Sequence, residues 1–452
     1  MVFKRKIYDR MLNWKKTRNG KSALLIEGAR RIGKSTIVEE FAKQEYKSYI
    51  LIDFSKTDSK IRNIFKNHLT ELDVFFQLLQ VQTNKKLHTR DSLIVFDEIQ
   101  KYPRAREAIK ALVEDGRYDY IETGSLISIK ENVEDILIPS EEHSIRMYPM
   151  DFEEFCMACG EEQLLDYIKT CFDKKIEVER DIHQKAMLLI KQYLIVGGMP
   201  QSVNAYLEGG KSFFEADIVK REILSLYRKD IQKASKKYMT KTLQIYDGIP
   251  GYLSKHEKRV TINNIDAGQV TNSLGDAFFW LADSMIANEC FGCNDPNVGL
   301  SLNEDRTYVK CYMGDTGLLL SHAFSEKEIT EGELYKKLLN DRLSINKGML
   351  FENLVAQMLV ANGHDLYFYT HYNSEKHRND MEIDFMLSNG SKTNYKINPV
   401  EVKSSKNYTT TSLASFRNKY KKRVETSYVI HPKNLRIDNE IMYMPVYMTF
   451  LL

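Results

Sequence analysis

Short apolar runs alternate with helical patterns along the N-terminal part of the chain. The run Leu24-Leu25-Ile26 leads into a glycine-containing loop, after which Ile37, Val38 and Phe41 follow at helical spacing. Further apolar runs lie at residues 49–54, 92–98 and 118–125. Such runs are typical of buried strands, and their alternation with helices predicts an α/β fold with a parallel sheet.

The rest of the chain divides into a helical stretch and two segments that contain strands. Residues 151–237 show helical patterns with charged faces, broken at Gly197-Gly198-Met199-Pro200, and we interpret them as a lid or a linker. Residues 238–325 are helical up to a strand at 308–313, and residues 326–452 hold a helix around Leu354 followed by strands around Ile383 and Val400. A length of 452 residues fits about two to four domains.

The loop after the first apolar run has the spacing of a phosphate-binding loop. Gly28 to Ser35 read G-x-x-x-x-G-K-S between a predicted strand and a predicted helix, so backbone N–H groups and the helix N-terminus would face a phosphate. Lys34 would reach the β- and γ-phosphates of ATP, and Ser35 would supply a hydroxyl to Mg²⁺. The residues predicted to bind the nucleotide are Gly28, Ala29, Arg30, Arg31, Ile32, Gly33, Lys34, Ser35, Thr36 and Thr123.

Two adjacent carboxylates end the apolar run at residues 92–98. Asp97 is predicted to hold Mg²⁺ together with Ser35, and Glu98 to act as the general base that polarises the attacking water. Thr123, at the end of the next predicted strand, is either a γ-phosphate sensor or an ordinary turn residue. The alternative for the carboxylates is a strand that ends in solvated acids.

A second group of acids lies near the C-terminus. Glu352 is on a predicted helix, Asp384 is on a strand, and the period of two puts Glu401 and Lys403 on one face of the next strand. These residues resemble the PD-(D/E)XK nuclease pattern, in which Glu352, Asp384 and Glu401 would bind Mg²⁺ and Lys403 would stabilise charge at the scissile phosphate. An exposed strand face with alternating charge is the alternative.

Charge and composition restrict the partners. Lys and Arg number 65 against 62 Asp and Glu, a net charge of +3, so any argument for double-stranded DNA has to be local. One basic stretch, residues 406–423, interleaves aromatic side chains and is either a phosphate-contacting surface or a solvated face. The chain shows neither a secretory signal nor a long apolar segment, which predicts a cytoplasmic protein without a membrane partner.

Several motifs together resemble a family of AAA+-like bacterial and archaeal ATPases that carry an uncharacterised C-terminal domain. The matching pieces are Gly28 to Ser35, Phe96-Asp97-Glu98-Ile99-Gln100, Thr123-Gly124-Ser125, Tyr148 to Phe155, and Gly197-Gly198-Met199-Pro200. The resemblance implies an ATPase domain over residues 1–150, a helical lid or linker over 151–237, a winged-helix-like module over 238–325 and a restriction-endonuclease-like α/β domain over 326–452. Ser140-Glu141 stands where many relatives have Gly-Arg, so no arginine finger can be assigned there.

The sequence therefore predicts a Mg²⁺-dependent ATPase coupled to a nuclease-like C-terminal half that acts on DNA. An ATP-switched interaction protein with a catalytically inactive nuclease-like domain is the alternative. A small-molecule kinase is disfavoured, because a kinase needs neither Glu98 nor the long C-terminal half. A homo-oligomer that shares arginine fingers between subunits stays open.

Overall fold

The chain forms two compact units. The computed structural model describes residues 1–124, 140–233, 239–255, 258–261, 273–297, 299–324, 333–339, 346–375, 377–388 and 396–452. The first unit comprises Met1–Tyr148 with Asp283–Met285, and the second comprises Pro149–Ala282 with Ile286–Leu452. The first division falls close to residue 150, where the sequence places the end of the ATPase domain; the other domain limits stay predictions.

A five-stranded parallel sheet forms the centre of the first unit, which confirms the predicted α/β fold. The strands are β1 (Ala23–Glu27), β2 (Ser48–Asp53), β3 (Ser92–Asp97), β4 (Asp119–Gly124) and β5 (Glu142–Arg146), in the order β2-β3-β4-β1-β5. The helices are α1 (Ile7–Arg18), α2 (Lys34–Glu45), α3 (Ser59–Asn67), α4 (Leu72–Thr83), α5 (Pro103–Glu107) and α6 (Ile109–Asp115), with a 3₁₀ turn at Ile99–Lys101.

Burial explains why the strands of the first unit have few polar positions. Every residue of β3 and β4 is buried, and aromatic rings from Phe54, Phe65 and Phe96 pack together on one face of the sheet. Parallel strands all end at the same edge of a sheet. The residues after β1, at the end of β3 and near the end of β4 therefore come together, and that edge positions the candidate nucleotide site.

The second unit begins with helices and continues into a larger sheet. Its helices are α7 (Phe152–Ala158), α8 (Glu162–Lys174), α9 (Arg180–Val196), α10 (Pro200–Glu208), α11 (Phe213–Lys233), α12 (Met239–Ser254), α13 (Ser273–Asp283), α14 (Thr316–Ala323), α15 (Glu333–Leu339), α16 (Lys347–Ala361) and α17 (Thr411–Lys419). Short 3₁₀ turns lie at Leu300–Asn303 and Val446–Leu451. Among the described residues, no helix combines the length and the apolar character of a membrane-spanning segment.

The second sheet is mixed and has nine strands in the order β13-β14-β12-β11-β10-β9-β7-β8-β6. The strands are β6 (Val260–Thr261), β7 (Ala287–Cys293), β8 (Glu304–Met313), β9 (Leu366–Asn373), β10 (Arg378–Ser388), β11 (Ile397–Val402), β12 (Ser427–His431), β13 (Arg436–Asp438) and β14 (Ile441–Pro445). Because β7 pairs with both β8 and β9, one sheet runs across the boundary predicted at residues 325–326. The winged-helix and nuclease-like assignments stay predictions.

The Gly197-Gly198-Met199-Pro200 break in the helical pattern has a packing cause. The backbone N–H of Gly198 donates to the buried carboxylate of Asp315 at 2.5 Å, and a Cβ atom at Gly198 would overlap with the carbonyl of Met150. Gly197 has φ 79°, a backbone conformation that favours glycine. The two glycines thus let the chain pass close to two other segments of the second unit.

Candidate functional site

The loop between β1 and α2 has the backbone of a phosphate cradle. Gly33 caps α2 with φ 91°, and Arg31 also has a positive φ of 69°. A Cβ atom at Gly28 would overlap with the side chain of Ile32 and the carbonyl of Met147. Both glycines of the motif are therefore required by the local geometry, and the N-terminus of a 12-residue helix faces the loop.

Lys34 lies inside this loop. Its Nζ atom donates to the carbonyl oxygens of Gly28 and Ala29, each at 2.9 Å, and the side chain is buried. Burial lowers the pKa of Lys34 to about 8, although the negative charges of Glu98 and Asp97 act in the opposite direction. Among the described residues, the two hydrogen bonds of this ammonium go to neutral carbonyls, so its charge is available to a phosphate anion.

Two hydroxyl groups converge on a single oxygen of Asp97. Ser35 Oγ donates to Asp97 Oδ1 at 2.8 Å, and the hydroxyl of Thr123 donates to the same atom. This contact joins the ends of β3 and β4 to the first turn of α2. The Ser35 hydroxyl and the Asp97 carboxylate are adjacent hard oxygen donors, which is the donor chemistry that Mg²⁺ prefers, so the residues fit the predicted cofactor.

Glu98 leaves the end of β3 in a left-handed backbone conformation, with φ 55°. Its Oε2 atom accepts a hydrogen bond of 2.7 Å from Gln100, and its backbone N–H donates to Thr123 Oγ1 at 3.4 Å. Gln100 thus orients the predicted general base. Gln100 lies two residues after Glu98 in the motif Phe96 to Gln100, and this position was the signal in the sequence for the contact.

The other predicted nucleotide-binding residues surround Lys34. Ala29 and Ile32 are buried, Arg30 is half-buried, and Arg31 and Thr36 are exposed. Ile32 is held in place because its carbonyl accepts a 2.9 Å hydrogen bond from the buried guanidinium of Arg5. The N-terminal segment thereby supports the loop, a contribution that the sequence alone did not indicate.

A buried lysine occupies the centre of the C-terminal group of acids. Lys310, on β8, is 1% exposed, and its Nζ atom lies 3.4 Å from Glu352, 3.2 Å from Glu382 and 3.9 Å from Asp384. Burial opposes the charged form of Lys310, but the nearby carboxylates outweigh it and raise the pKa of the lysine. We call Lys310, Glu352, Glu382 and Asp384 the lysine-carboxylate cluster.

Glu352 has three hydrogen-bond donors around its carboxylate. Tyr312 donates to Oε1 at 2.5 Å, Lys310 approaches the same oxygen, and Lys258 donates to Oε2. Burial alone would raise the pKa of Glu352, but Lys310 and Lys258 outweigh it and hold the pKa at about 2. Lys310 and Tyr312 are two residues apart on β8 and therefore lie on the same face of the sheet. The period of two in residues 308–313 was the sequence signal that could have grouped them.

The other two predicted catalytic acids have a different environment. Burial and the charge of Glu352 raise the pKa of Asp384 to about 6, and its Oδ2 atom accepts from the backbone of Val402 at 2.8 Å. Burial raises the pKa of Glu401 to about 7, against the effect of Lys403, whose Nζ atom lies 3.1 Å away. The backbone N–H of Leu413 also donates to Glu401, at 3.1 Å.

The C-terminal acids do not fit a metal ion as they stand. In the part of the chain that the structure describes, no three His, Cys, Asp or Glu side chains are grouped so that they could hold one. Two of the predicted ligands, Glu352 and Asp384, instead lie beside the ammonium of Lys310, at 3.4 and 3.9 Å. Metal binding by Glu352, Asp384 and Glu401 therefore stays a prediction that this arrangement does not support.

The basic stretch after β11 is partly committed to internal contacts. Arg417 bonds to Glu440 at 2.9 Å, and Arg423 pairs with Asp295. Phe416 is buried, and Tyr420 hydrogen-bonds to Tyr369 at 2.9 Å. These aromatic rings contribute to the core, which leaves charge rather than base stacking as the basis for a DNA contact.

Three segments of the chain match models of known protein families. Residues 20–156 match the model of an AAA domain. This part of the chain, which contains the phosphate loop, is similar to AAA domains. Residues 187–328 and 347–448 match two domains of unknown function. No curated protein matches the chain.

Among solved structures the likenesses are distant. A Walker-type ATPase of Pyrococcus abyssi is 14% identical and covers 72% of this chain and 96% of its own, with a TM-score of 0.39. A signal-transduction ATPase with a tetratricopeptide-repeat sensor, from Pyrococcus horikoshii, is 12% identical, with 79% and 48% covered and a TM-score of 0.29. The ORC1 protein of Aeropyrum pernix, solved in complex with DNA, is 12% identical, with 73% and 94% covered and a TM-score of 0.23. This chain spans about half the length of the second of these proteins.

Proposed function

We propose that the first unit binds ATP with Mg²⁺ and hydrolyses it. The observation that supports this proposal is the convergence of Ser35 and Thr123 on one carboxylate oxygen of Asp97, beside a lysine buried in the phosphate loop. Ser35 and Asp97 would hold Mg²⁺, which neutralises charge on the phosphates when bound. Lys34 would exchange its bonds to two backbone carbonyls for bonds to the β- and γ-phosphates.

Glu98 is the residue that we assign to proton transfer. The hydrogen bond from Gln100 fixes one carboxylate oxygen and leaves the other to polarise a water molecule near the γ-phosphate. Thr123 positions both Glu98 and Asp97, because its hydroxyl contacts the backbone of one and the carboxylate of the other. A nucleotide that displaced the Thr123 hydroxyl from Asp97 would also change the position of Glu98, whose backbone bonds to the same hydroxyl. A γ-phosphate sensor acts in this way.

Binding and hydrolysis can be separated by two variants. Lys34→Ala removes the phosphate contact and should abolish both nucleotide binding and turnover, whereas Glu98→Gln should bind a fluorescent ATP analogue normally and lose turnover by about 100-fold or more. Glu107→Gln, a change of the same chemistry at an exposed position in α5, is the matched control. Turnover by Glu98→Gln at the rate of the control would rule out the assigned base.

For the second unit we propose a nuclease-like fold that is coupled to the ATPase and contacts DNA. We also propose a second candidate, which the contacts of the lysine-carboxylate cluster favour. In that candidate the fold is catalytically inactive and ATP switches its interaction with a partner. The lysine-carboxylate cluster supports it, because two of the three predicted metal ligands, Glu352 and Asp384, already lie within 3.9 Å of the buried ammonium of Lys310.

A single set of assays separates these two candidates. Cleavage of duplex DNA with Mg²⁺ or Mn²⁺, abolished by Asp384→Ala, would support the nuclease. Absence of cleavage under both metals, with ATP turnover intact, would support the inactive fold. Stimulation of turnover by DNA that weakens steeply with salt would support a DNA contact in either case, because phosphate binding releases counterions.

A further inference from the structure

A large cavity opens in the second unit, away from the lysine-carboxylate cluster. It has a volume of about 990 Å³ and lies between one face of α9, the first turn of α16 and the segment that follows β11. The α9 residues that line it recur at helical spacing from Arg180 to Ile195, so they form a continuous wall. Pockets of roughly 300 to 1,000 Å³ are the size that small organic ligands occupy.

The described residues that line this cavity carry positive charge and no negative charge. Arg180 and Lys191 come from α9, Lys347 from the first turn of α16, and Lys406 from the segment after β11, while no Asp or Glu is among the described lining residues. Lys191 donates to the carbonyl of Leu339 at 3.2 Å. The start of α16, a 15-residue helix, adds the positive end of its dipole to the same wall.

The positive charge of Lys406 acts on His183, which lies on α9. Burial lowers the pKa of His183 on α9, and the positive charge of Lys406 lowers it further. His183 also bonds to the Tyr447 hydroxyl at 2.9 Å, so it contributes a neutral polar edge rather than another cation. Lys406 therefore acts on the same wall of the cavity that Arg180 and His183 line.

The rest of the lining is apolar. Met187, Leu188 and Leu194 line the α9 side, and Leu350 and Phe351 line the opposite side. Leu188 is 48% exposed, which is a large exposure for a leucine that faces a recess. An apolar floor with a cationic rim suits a ligand that has both an anionic group and an apolar body.

We propose that this cavity binds a small organic anion, in which a phosphate, sulfonate or carboxylate group is joined to an apolar or aromatic body. The anionic group contacts Arg180 and Lys406, and the body covers Leu188. This site is separate from the phosphate loop, because all of its described lining residues lie in the second unit. The proposal does not depend on ATP hydrolysis.

The probe for this site is 8-anilinonaphthalene-1-sulfonate, an aromatic sulfonate that fluoresces in apolar surroundings. The full-length protein should bind it saturably with one site per chain. Arg180→Gln/Lys406→Gln should weaken binding by about five- to thirtyfold, because two cations next to the sulfonate are removed. Lys421→Gln/Lys422→Gln removes the same charge from exposed lysines outside the cavity and should leave binding unchanged.

Two further pairs of variants test the chemistry of the site. Leu188→Gln should weaken binding, whereas Leu302→Gln, at a leucine that is 85% exposed and outside the cavity, should not. Arg180→Lys/Lys406→Arg keeps both charges and should retain binding, which separates loss of charge from loss of folding. Probe binding that is not saturable, or equal loss in the Lys421/Lys422 control, would overturn the proposal. Displacement of the probe by duplex DNA but not by AMP would overturn it as well, in favour of a nucleic-acid surface.

Discussion

Replacing Lys310 by methionine tests whether the lysine-carboxylate cluster is a structural ion-pair centre. Methionine has a similar length and no charge, so Lys310→Met removes the ammonium that lies within 3.9 Å of three carboxylates. Removing one partner of a buried ion pair typically costs about 3–5 kcal/mol, because the other partner stays buried and uncompensated. We expect the free energy of unfolding of the second unit to fall.

The contacts of each carboxylate set the size of this loss. Glu352 is 3% exposed but keeps its donors Tyr312 and Lys258, and Glu382 is 37% exposed and can be solvated. The penalty therefore falls mainly on Glu352 and is reduced by the donors that remain. We expect a loss of about 3 kcal/mol at neutral pH, the lower end of the usual range. The loss should shrink as the pH falls, because without Lys310 the pKa of Glu352 rises and the carboxylate becomes protonated.

Hydrogen exchange measured by mass spectrometry can follow this loss locally. Peptides from β8 and α16 should lose protection in Lys310→Met, while Lys422→Met, at an exposed lysine of the same unit, should not change them. In Lys310→Met/Glu352→Gln the loss should be smaller than the sum of the single losses, by about 1 kcal/mol or more. Additive losses, or a loss below about 0.5 kcal/mol, would refute the ion-pair centre. So would stabilisation of the unchanged protein by Mn²⁺ that disappears in Glu352→Gln.

Three further predictions concern single groups. At pH 8 about half of the Lys34 side chains are uncharged, so ATP binding should take up about 0.5 proton, seen in calorimetry as a dependence on the ionisation enthalpy of the buffer. This uptake should shrink to about 0.1 proton at pH 7, where most of the Lys34 side chains are already charged. Gly198→Ala should lower the unfolding free energy of the second unit by about 1–3 kcal/mol in denaturant titrations, because its Cβ overlaps with the carbonyl of Met150. Because the pKa of Glu401 is raised to about 7, its contribution to stability is complete below about pH 4.5. This contribution falls by up to about 3 kcal/mol as the pH rises to about 7. The unfolding free energy of Glu401→Gln should therefore depend less on pH over that window.

The grouping of the candidate nucleotide-site residues was predictable because these residues lie next to strand ends. A motif of eight residues already contains the glycines, the lysine and the serine, and the apolar run before Asp97 identifies a buried strand. Parallel pairing then brings Asp97 close to the loop without any further information, and the structure joins Ser35 to Asp97 at 2.8 Å. The contribution of Arg5 was not predictable, since its contact with Ile32 spans 27 residues of sequence and follows no local pattern.

The C-terminal group shows why the same reasoning has a limit there. The period of two correctly places Glu401 beside Lys403, because both residues belong to one strand and its immediate continuation. It carries no information about which distant strand contributes the charge between Glu352 and Asp384. Lys310 comes from β8, in a segment assigned to another module, and reaches the acids only because β7 pairs with both β8 and β9.

That pairing has a functional consequence. A metal ion bound by Glu352 and Asp384 would compete with Lys310 for both carboxylates, but the lysine is 1% exposed and has no described acid other than those of its own cluster within ion-pair distance. Its withdrawal would leave either a buried unpaired ammonium or a neutral amine, and both cost several kcal/mol in a group whose pKa is raised. The chain therefore keeps the order of acids that resembles a nuclease while a buried lysine pairs with two of them, Glu352 and Asp384, and this pairing is what the Lys310→Met experiment measures.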